Sequence, residues 1–505
     1  MILVVDFGSQ TCHLIARRLR DLGVTTKIVD PENILAEIKE NKPKGIIFSG
    51  GPAFVTRKDS PTITKKVFGL GIPILGICYG WQLTAHLLGG TVEGSRKEYG
   101  PANLKINVNN TLFSRVDSYS RVIVSHGDTV TKLPKGFIAL AGTEDVTYAA
   151  AFNPAKKIYG IQFHPEIEHT TQGIKVLKNF ATNISQVKPK KHVLDIKKII
   201  NQIKEAVGNG NVVCAVSGGV DSTVAAALVT KAVGTRLHPI YIESGLMRVG
   251  TVEEVKKIFK IHFRVKPIIV DAKKEFLKRL KGVKEAETKR KIIGALYIEL
   301  FEKESKKLKN ISHLMQGTIY SDVIESKGTK KADKIKSHHN VGGLPEKMNI
   351  QLLEPLRYFY KDEVRRIGKK LDLPDELVYK QVFPGPGQAI RIIGEVTPER
   401  LEMQQKADQI VIQEITKAGL YRKVYMSFPI MTNTFSTCVR GDERQLYEVV
   451  ALRVIESKDV MSTDWAKLPY DLLQKISSRI VNEVPGTSRV VYDITTKPPA
   501  TMEWE

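Results

Sequence analysis

Cys78 is the side chain in this sequence best placed to act as a nucleophile. It stands in Pro73-Ile74-Leu75-Gly76-Ile77-Cys78-Tyr79-Gly80-Trp81-Gln82-Leu83, where an apolar run meets the start of a helical pattern. A cysteine at a tight strand-to-helix turn between glycines is held exposed, and the helix N-terminus favours its thiolate. Cysteine is also often just a small buried hydrophobe, so the reading depends on partners. His164 and Glu166 in Gly160-Ile161-Gln162-Phe163-His164-Pro165-Glu166 supply them. Two residues apart at the end of an apolar strand, they share a face, as a base and its orienting carboxylate must. His164 would take the thiol proton, and Glu166 would fix the tautomer and stabilise the imidazolium. The Gly50-Gly51 turn can offer backbone N–H groups to an oxyanion, with Gly51 and Tyr79 as the expected donors. His126, in Ser125-His126-Gly127-Asp128, competes on paper as the base.

A second chemistry is written in Ser217-Gly218-Gly219-Val220-Asp221-Ser222. The apolar run Val212–Val216 before it reads as a buried strand, and Thr223–Val229 after it opens an apolar-faced helix. Two glycines allow close backbone approach to an anion, helix N-terminal amides point at it, and Ser217 and Ser222 add hydroxyls. No Gly-Lys-Ser/Thr follows, so this is not a Walker A loop. Other stretches carry two readings each. Lys289-Arg290-Lys291 is a solvated helix face or a set of phosphate ligands. Gln316-Gly317-Thr318 is an ordinary turn or a holder of the adenylate, and Lys361 is an exposed lysine or a triphosphate ligand. His338-His339 suggests a metal, but adjacent rings in a strand point apart, which favours a substrate-contact or structural role.

These residues need positioning elements, and the chain supplies strands alternating with helices. Met1 to about Val187 reads as an α/β segment, with strands at Ile2–Val5 and Gly45–Phe48 and a helix at Thr11–Leu22. Gln186–Leu194 is a polar, basic, proline-containing linker. Beyond it, a helix over Ile196–Val207 and strands at His238–Ile242 and Ile268–Val270 predict a second parallel sheet, with ligand at its carboxyl ends. After the rigid turn Phe383-Pro384-Gly385-Pro386-Gly387 come a helix over Arg400–Ala418, strands around Tyr425–Met431, Val449–Ile455 and Arg489–Ile494, and a helix over Tyr470–Val484. That mixture predicts a small α+β domain. The expected fold class is thus α/β, with two successive parallel-sheet domains and a small α+β C-terminal domain.

A length of 505 residues requires several cores. Four dispersed cysteines, with no C-x-x-C pair, argue against a disulfide framework and a zinc site. No secretory leader pattern and no apolar run of membrane length is present, which predicts a cytoplasmic chain without membrane partners. The net charge of +23 is a common footprint of polyanion binding. Its lysines are scattered without interleaved aromatics, so no obligatory nucleic-acid partner is expected.

The motifs FGSQ, SGGP, GICYGWQL, SHGD and QFHPE, in this order, resemble those of class I glutamine amidotransferases. The resemblance implies a Cys78–His164–Glu166 triad, with SHGD lining the glutamine site. SGGVDS resembles the pyrophosphate loop of N-type ATP pyrophosphatases. With KRKIIG, IKSHHNVGGLPE, EPLR, KDEVR, FPGPG, AIRI, GDER and KPPATMEWE added, the chain is similar to glutamine-hydrolysing GMP synthases over essentially its whole length.

That family implies an amidotransferase domain (1–187), an ATP pyrophosphatase domain (188–385), adenine nucleotide α-hydrolase-like, and a C-terminal dimerisation and XMP-binding domain (386–505). The implied reaction hydrolyses glutamine to ammonia, adenylates the C2 oxygen of XMP with ATP, and displaces AMP with ammonia. It implies ATP binding by Ser217, Gly218, Gly219, Val220, Asp221, Ser222, Gly317, Thr318 and Lys361, Mg²⁺ at Asp221, XMP at Arg290, Lys497 and Glu503, and a homodimer. The chain departs from the family pattern at Lys380-Gln381-Val382, at Gln388 within Gly387–Arg391, at Ser321-Asp322 and over Ser427–Cys438.

Overall fold

The computed structural model describes residues 1–9, 11–94, 98–190, 194–320, 322, 350–457, 463–497 and 500–505. The chain divides into two compact units, Met1–Val193 and Leu194–Glu505. The stretch 335–346 with His338 and His339, most of 321–326, Gln10, Lys191, Pro498 and Pro499 lie outside the described residues.

The strands of the first unit are β1 (Ile2–Val5), β2 (Thr26–Val29), β3 (Gly45–Phe48), β4 (Ile74–Ile77), β5 (Thr91–Glu93), β6 (Glu98–Ile106), β7 (Tyr119–His126), β8 (Thr129–Lys132), β9 (Ile138–Gly142), β10 (Ala150–Asn153) and β11 (Ile158–Ile161). Nine of them form one sheet in the order β2-β1-β3-β4-β11-β10-β9-β6-β7, and β5 pairs with β8. From β2 to β11 the pairings are parallel; from β11 onward they are antiparallel. The two halves have different sequence textures for a physical reason. Strands β1, β3, β4 and β11 are buried along their whole length, as strands covered on both faces must be. Strand β7 alternates exposed and buried positions, as a strand with one wet face does. The expected parallel sheet is therefore present in the half that carries Cys78, and the alternation of Tyr119–His126 builds an antiparallel extension onto it. Helices α1 (Cys12–Asp21), α2 (Ile34–Asn41), α3 (Tyr79–Leu87) and α4 (Gly173–Lys178) complete the unit. Successive residues of β1 feed opposite cores: Ile2 and Val4 join one apolar cluster, Leu3 and Val5 the other.

The second unit opens with α5 (Ile196–Val207), whose first turn is capped by Asp195 accepting from the Lys198 N–H. There follow β12 (Asn211–Ala215), α6 (Val220–Val233), β13 (Leu237–Glu243), α7 (Thr251–Ile258), β14 (Ile268–Asp271), α8 (Lys273–Leu280), α9 (Ala286–Ser305), β15 (Ile311–Met315) and β16 (Gln351–Leu353). The sheet order is β14-β13-β12-β15-β16, all parallel. The chain reverses direction across the sheet between β12 and β15, and ligands bind at the carboxyl ends of such a switch point. SGGVDS follows β12 and Gln316-Gly317-Thr318 follows β15, so both flank it.

The remaining elements are α10 (Lys361–Lys370), α11 (Asp375–Val378), α12 (Pro398–Lys417), β17 (Met426–Arg440), β18 (Glu443–Glu456), β19 (Asp464–Trp465), α13 (Tyr470–Glu483) and β20 (Thr487–Tyr492). Strand β18 pairs antiparallel with β17 and β19 and parallel with β20. The hairpin is longer than the apolar runs predict. It continues past Met431 through a register shift before Phe435, where Asn433 takes a positive φ of 55°, and only its first part is buried. One apolar cluster joins Val213 and Ile240 of the parallel sheet to Ile410 of α12, Val450 and Leu452 of β18 and Ile476 of α13. The boundary expected at 385/386 falls inside this unit.

Candidate active site

The turn at Cys78 is built from backbone contact. Cys78 has φ 49° and ψ −108°, a conformation a side-chain-bearing residue holds only at a cost of about 1–3 kcal/mol. The surroundings hold it there. The Cys78 N–H donates to Ile161 O at 2.8 Å, its carbonyl accepts from Trp81 and Gln82 at 3.0 Å each, and the Gly80 N–H donates to Ser49 O at 3.0 Å. A Cβ on Gly80 would lie 2.5 Å from Phe48 O, and one on Gly76 would lie 2.7 Å from Gly80 O. Both glycines are therefore required for helix and strand to approach this closely.

His164 reaches this turn. Its Nδ1 lies 2.8 Å from Glu166 Oε1, and the neighbouring Cys78 favours its protonated form. A Cβ on Gly50 would sit 3.0 Å from His164 Cε1 and 3.7 Å from Cys78 Cβ, so the glycine turn, His164 and Cys78 meet at one point. Burial works against the imidazolium, but Glu166 and Cys78 outweigh it and push the His164 pKa well above 6.5. A buried imidazolium is thereby stabilised beside the sulfur. The pair does not share a strand face: β11 ends at Ile161, and His164 and Glu166 meet through the turn beyond it. That turn is tied down from three sides. The His164 N–H donates to Ile123 O at 2.9 Å, Thr170 Oγ1 donates to His164 O at 2.7 Å, and Arg18 Nε donates to Glu166 O at 3.0 Å.

Tyr79 opens α3 directly after Cys78, and Gly51 adjoins Gly50, where a Cβ would lie 3.7 Å from Cys78 Cβ. The amides of a first helical turn have no intrahelical acceptor. Gln162, the first residue of QFHPE but not among the expected site residues, places Nε2 3.7 Å from Cys78 Sγ. His126 is engaged elsewhere: its Nε2 lies 3.1 Å from Glu98 Oε2, and Thr143 Oγ1 donates to Glu98 Oε1 at 2.9 Å. Burial raises the Glu98 carboxyl, yet these two partners hold it below its ordinary value.

In the second unit, Gly219 caps α6 and the serines close the loop. Ser217 Oγ and Ser222 Oγ are 3.1 Å apart, Ser217 Oγ accepts from the Gly219 N–H at 3.3 Å, and Ser222 Oγ donates to Gly219 O at 3.2 Å. A Cβ on Gly317 would lie 2.8 Å from Ser222 N, so the turn carrying Gly317 and Thr318 packs directly on the phosphate loop. Lys361 Nζ donates to Asp221 Oδ2 at 2.6 Å, from the first residue of α10. Asp221 Oδ1 is buried without a hydrogen-bond partner.

The C-terminal tail is a built part of this unit. Glu503 accepts a bidentate pair from Arg391, at 3.0 Å to Nε and 2.9 Å to Nη2. Arg391 is fully buried and lies over the rings of Phe383 and Phe428, 4.6 and 3.9 Å from their centroids. Arg290 Nη2 donates to Glu505 O. Lys289 Nζ, also fully buried, donates to Ile392 O at 2.6 Å and Ala389 O at 3.2 Å and lies 3.4 Å from Glu505 Oε2. Burial pulls its pKa down and Glu505 opposes that fall. Arg453 holds the tail by donating to Met502 O at 3.1 Å and Thr501 O at 2.6 Å. Lys497 pairs through its main chain with Thr463. Arg290 and Glu503 therefore stand in one tail-bound charge cluster. Lys497 enters the tail through this β-type main-chain pairing. Arg391 was missed as a site residue, although a single charge inside Ala389-Ile390-Arg391-Ile392-Ile393 signals a buried partner.

The strained cysteine turn, buried His–Glu pair and mixed sheet define the first unit as a class I glutamine amidotransferase. Residues 3–184 match the model of that family, "Glutamine amidotransferase class-I", and residues 413–504 match "GMP synthase C terminal domain". The whole chain is 51% identical over 506 residues to the GMP synthase [glutamine-hydrolyzing] of Aquifex aeolicus, covering 100% of this chain and 99% of that one. It is 52% identical over 508 residues to the protein of that name from Halothermothrix orenii and 50% identical over 507 to one from Clostridium botulinum, with the same coverage. The chain belongs to the glutamine-hydrolysing GMP synthases, a family of enzymes.

Proposed function

We propose that this chain converts XMP, ATP and glutamine into GMP, AMP, pyrophosphate and glutamate. The carrying observation is that one chain holds a Cys78–His164–Glu166 constellation and, separately, a phosphate loop whose Asp221 meets Lys361. At the first, the Cys78 thiolate attacks the glutamine carboxamide while backbone N–H groups of Gly51 and Tyr79 receive the oxyanion. His164 delivers its proton to the departing ammonia, and water then cleaves the thioester. At the second, the Ser217–Ser222 loop, Gly317, Thr318 and Lys361 hold the triphosphate, and the C2 oxygen of XMP attacks the α-phosphorus. AMP then leaves that carbon when ammonia adds. Arg290, Lys497 and Glu503 are assigned to XMP.

Asp221 fits Mg²⁺, since its Oδ1 is a hard oxygen ligand with no donor claiming it; when bound, the ion would neutralise charge on the departing pyrophosphate. Residues 1–187, 188–385 and 386–505 are assigned to the amidotransferase, ATP pyrophosphatase and C-terminal functions. Exposed Phe435, Val439 and Leu446 on the β17–β18 hairpin support a homodimer through the C-terminal part. No helix among the described residues is long and apolar enough to cross a membrane, which is compatible with a cytoplasmic enzyme. Incubating the protein with XMP, ATP, Mg²⁺ and glutamine should consume XMP absorbance and yield GMP; absence of GMP sinks the proposal.

A further inference from the structure

Lys380 reaches the Ser217–Ser222 loop from the segment that follows α11. Its Nζ lies 2.5 Å from Glu254 Oε2 and 3.4 Å from the Gly218 carbonyl oxygen. Gly218 is the turning point of the phosphate loop, with φ +73°, and a Cβ there would meet Thr251 Cγ2 at 2.8 Å and Val255 Cγ2 at 3.3 Å. Thr251, Glu254 and Val255 all belong to α7. One helix thus supplies both the surface on which the loop is seated and the carboxylate that braces Lys380.

The contact matters because of what a peptide plane does. The carbonyl of Gly218 and the N–H of Gly219 belong to one trans peptide and point in opposite directions. With its carbonyl drawn to Lys380, this peptide turns its N–H toward the inner side of the loop, where Ser217 Oγ accepts it at 3.3 Å. The two adjoining glycines permit the opposite orientation as well, which would face the carbonyl dipole toward an incoming phosphate and repel it. We infer that Lys380, braced by Glu254, is a positioning residue that fixes the Gly218–Gly219 peptide with its N–H toward bound pyrophosphate. The inference rests on the assignment of this loop to ATP.

The test is XMP-dependent ATP–pyrophosphate exchange by the full chain, with steady-state KM for ATP and product inhibition by pyrophosphate. For Lys380→Met, KM for ATP and the inhibition constant for pyrophosphate should both rise about tenfold, the scale of one charge-assisted hydrogen bond, with a smaller change in kcat. Lys380→Arg should recover part of that loss. Glu254→Gln, at an exposed position on α7, should move both constants in the same direction by less, and it probes the clamp should Lys380→Met fold poorly. Wild-type constants in both Lys380→Met and Glu254→Gln overturn the inference, as does a fall in kcat with both constants unmoved. Absence of exchange in the wild-type protein would instead overturn the ATP assignment itself.

Discussion

The two reactive centres of this chain are held together by different means. In the amidotransferase unit, His164 and Glu166 are two residues apart, and Cys78 sits on a strained turn fixed by backbone contact at Gly76 and Gly80. In the second unit, to which nucleotide binding is assigned by the proposal above, the matching charges are far apart in sequence: Asp221 and Lys361 by 140 residues, Arg391 and Glu503 by 112, Lys289 and Glu505 by 216. The first centre is held by local geometry, and the proposed function rests there on one sulfur, Cys78. The second depends on ion pairs gathered by the fold, and its cations already have protein carboxylates as partners. A substrate phosphate or base must compete with or join those pairs, so damage there should appear first in binding.

The sharpest test of this contrast is Cys78→Ala. Glutamine-dependent GMP formation should fall on the order of 10⁶-fold, as when a nucleophile is deleted from a preformed triad, while activity with added ammonium salt persists. Equal losses with both nitrogen sources would contradict the division of labour. Next in size is Glu166→Gln. Loss of the orienting charge should lower glutamine hydrolysis on the order of 10²–10⁴-fold, read as kcat for glutamate release.

The same contrast explains how much of the molecule the sequence disclosed. Cys78, His164 and the Ser217–Ser222 loop were legible because each needs a fixed local geometry, and glycine spacing advertises such geometry. The mode of His164–Glu166 contact was not, since a spacing of two fits both a strand face and a turn, and only the end of β11 at Ile161 decides between them. The long β17–β18 hairpin was hidden because the polar Thr432-Asn433-Thr434 stretch looks like a turn, whereas it is a bulged strand. Arg391 escaped for another reason, since long-range ion pairs leave no spacing signal; Lys289 kept two readings because a lysine in a basic run fits a solvated face as well as a phosphate ligand until its burial is seen.

Weakening a tail pair tests the second centre. Glu503→Gln removes the bidentate carboxylate of the fully buried Arg391 and leaves it Asp408 at 3.9 Å, a change expected to cost about 1–3 kcal/mol of local stability. Because Glu503 is assigned to XMP, KM for XMP should rise about tenfold or more, with glutamate release in the absence of XMP retained. A fall in kcat with unchanged KM for XMP would show that the tail is no binding element.

The smallest expected effect returns to the first centre through its proton. His164 has a folded pKa above 6.5, so the folded state binds that proton more tightly than the unfolded chain does. The resulting stabilisation is fully present below the unfolded value of about 6.5, and it is lost as pH rises through the raised folded value. In Glu166→Gln the carboxylate charge that favours the imidazolium is gone, and burial, which favours the neutral ring, is opposed by Cys78 alone. The wild-type protein should therefore exceed Glu166→Gln in stability by about 1–3 kcal/mol near pH 6, and the gap should narrow toward pH 9. Thermal unfolding of the full-length proteins across that range reads it directly. A gap that widens with pH would mean that His164 is neutral in the folded enzyme and that Glu166 serves only to orient it.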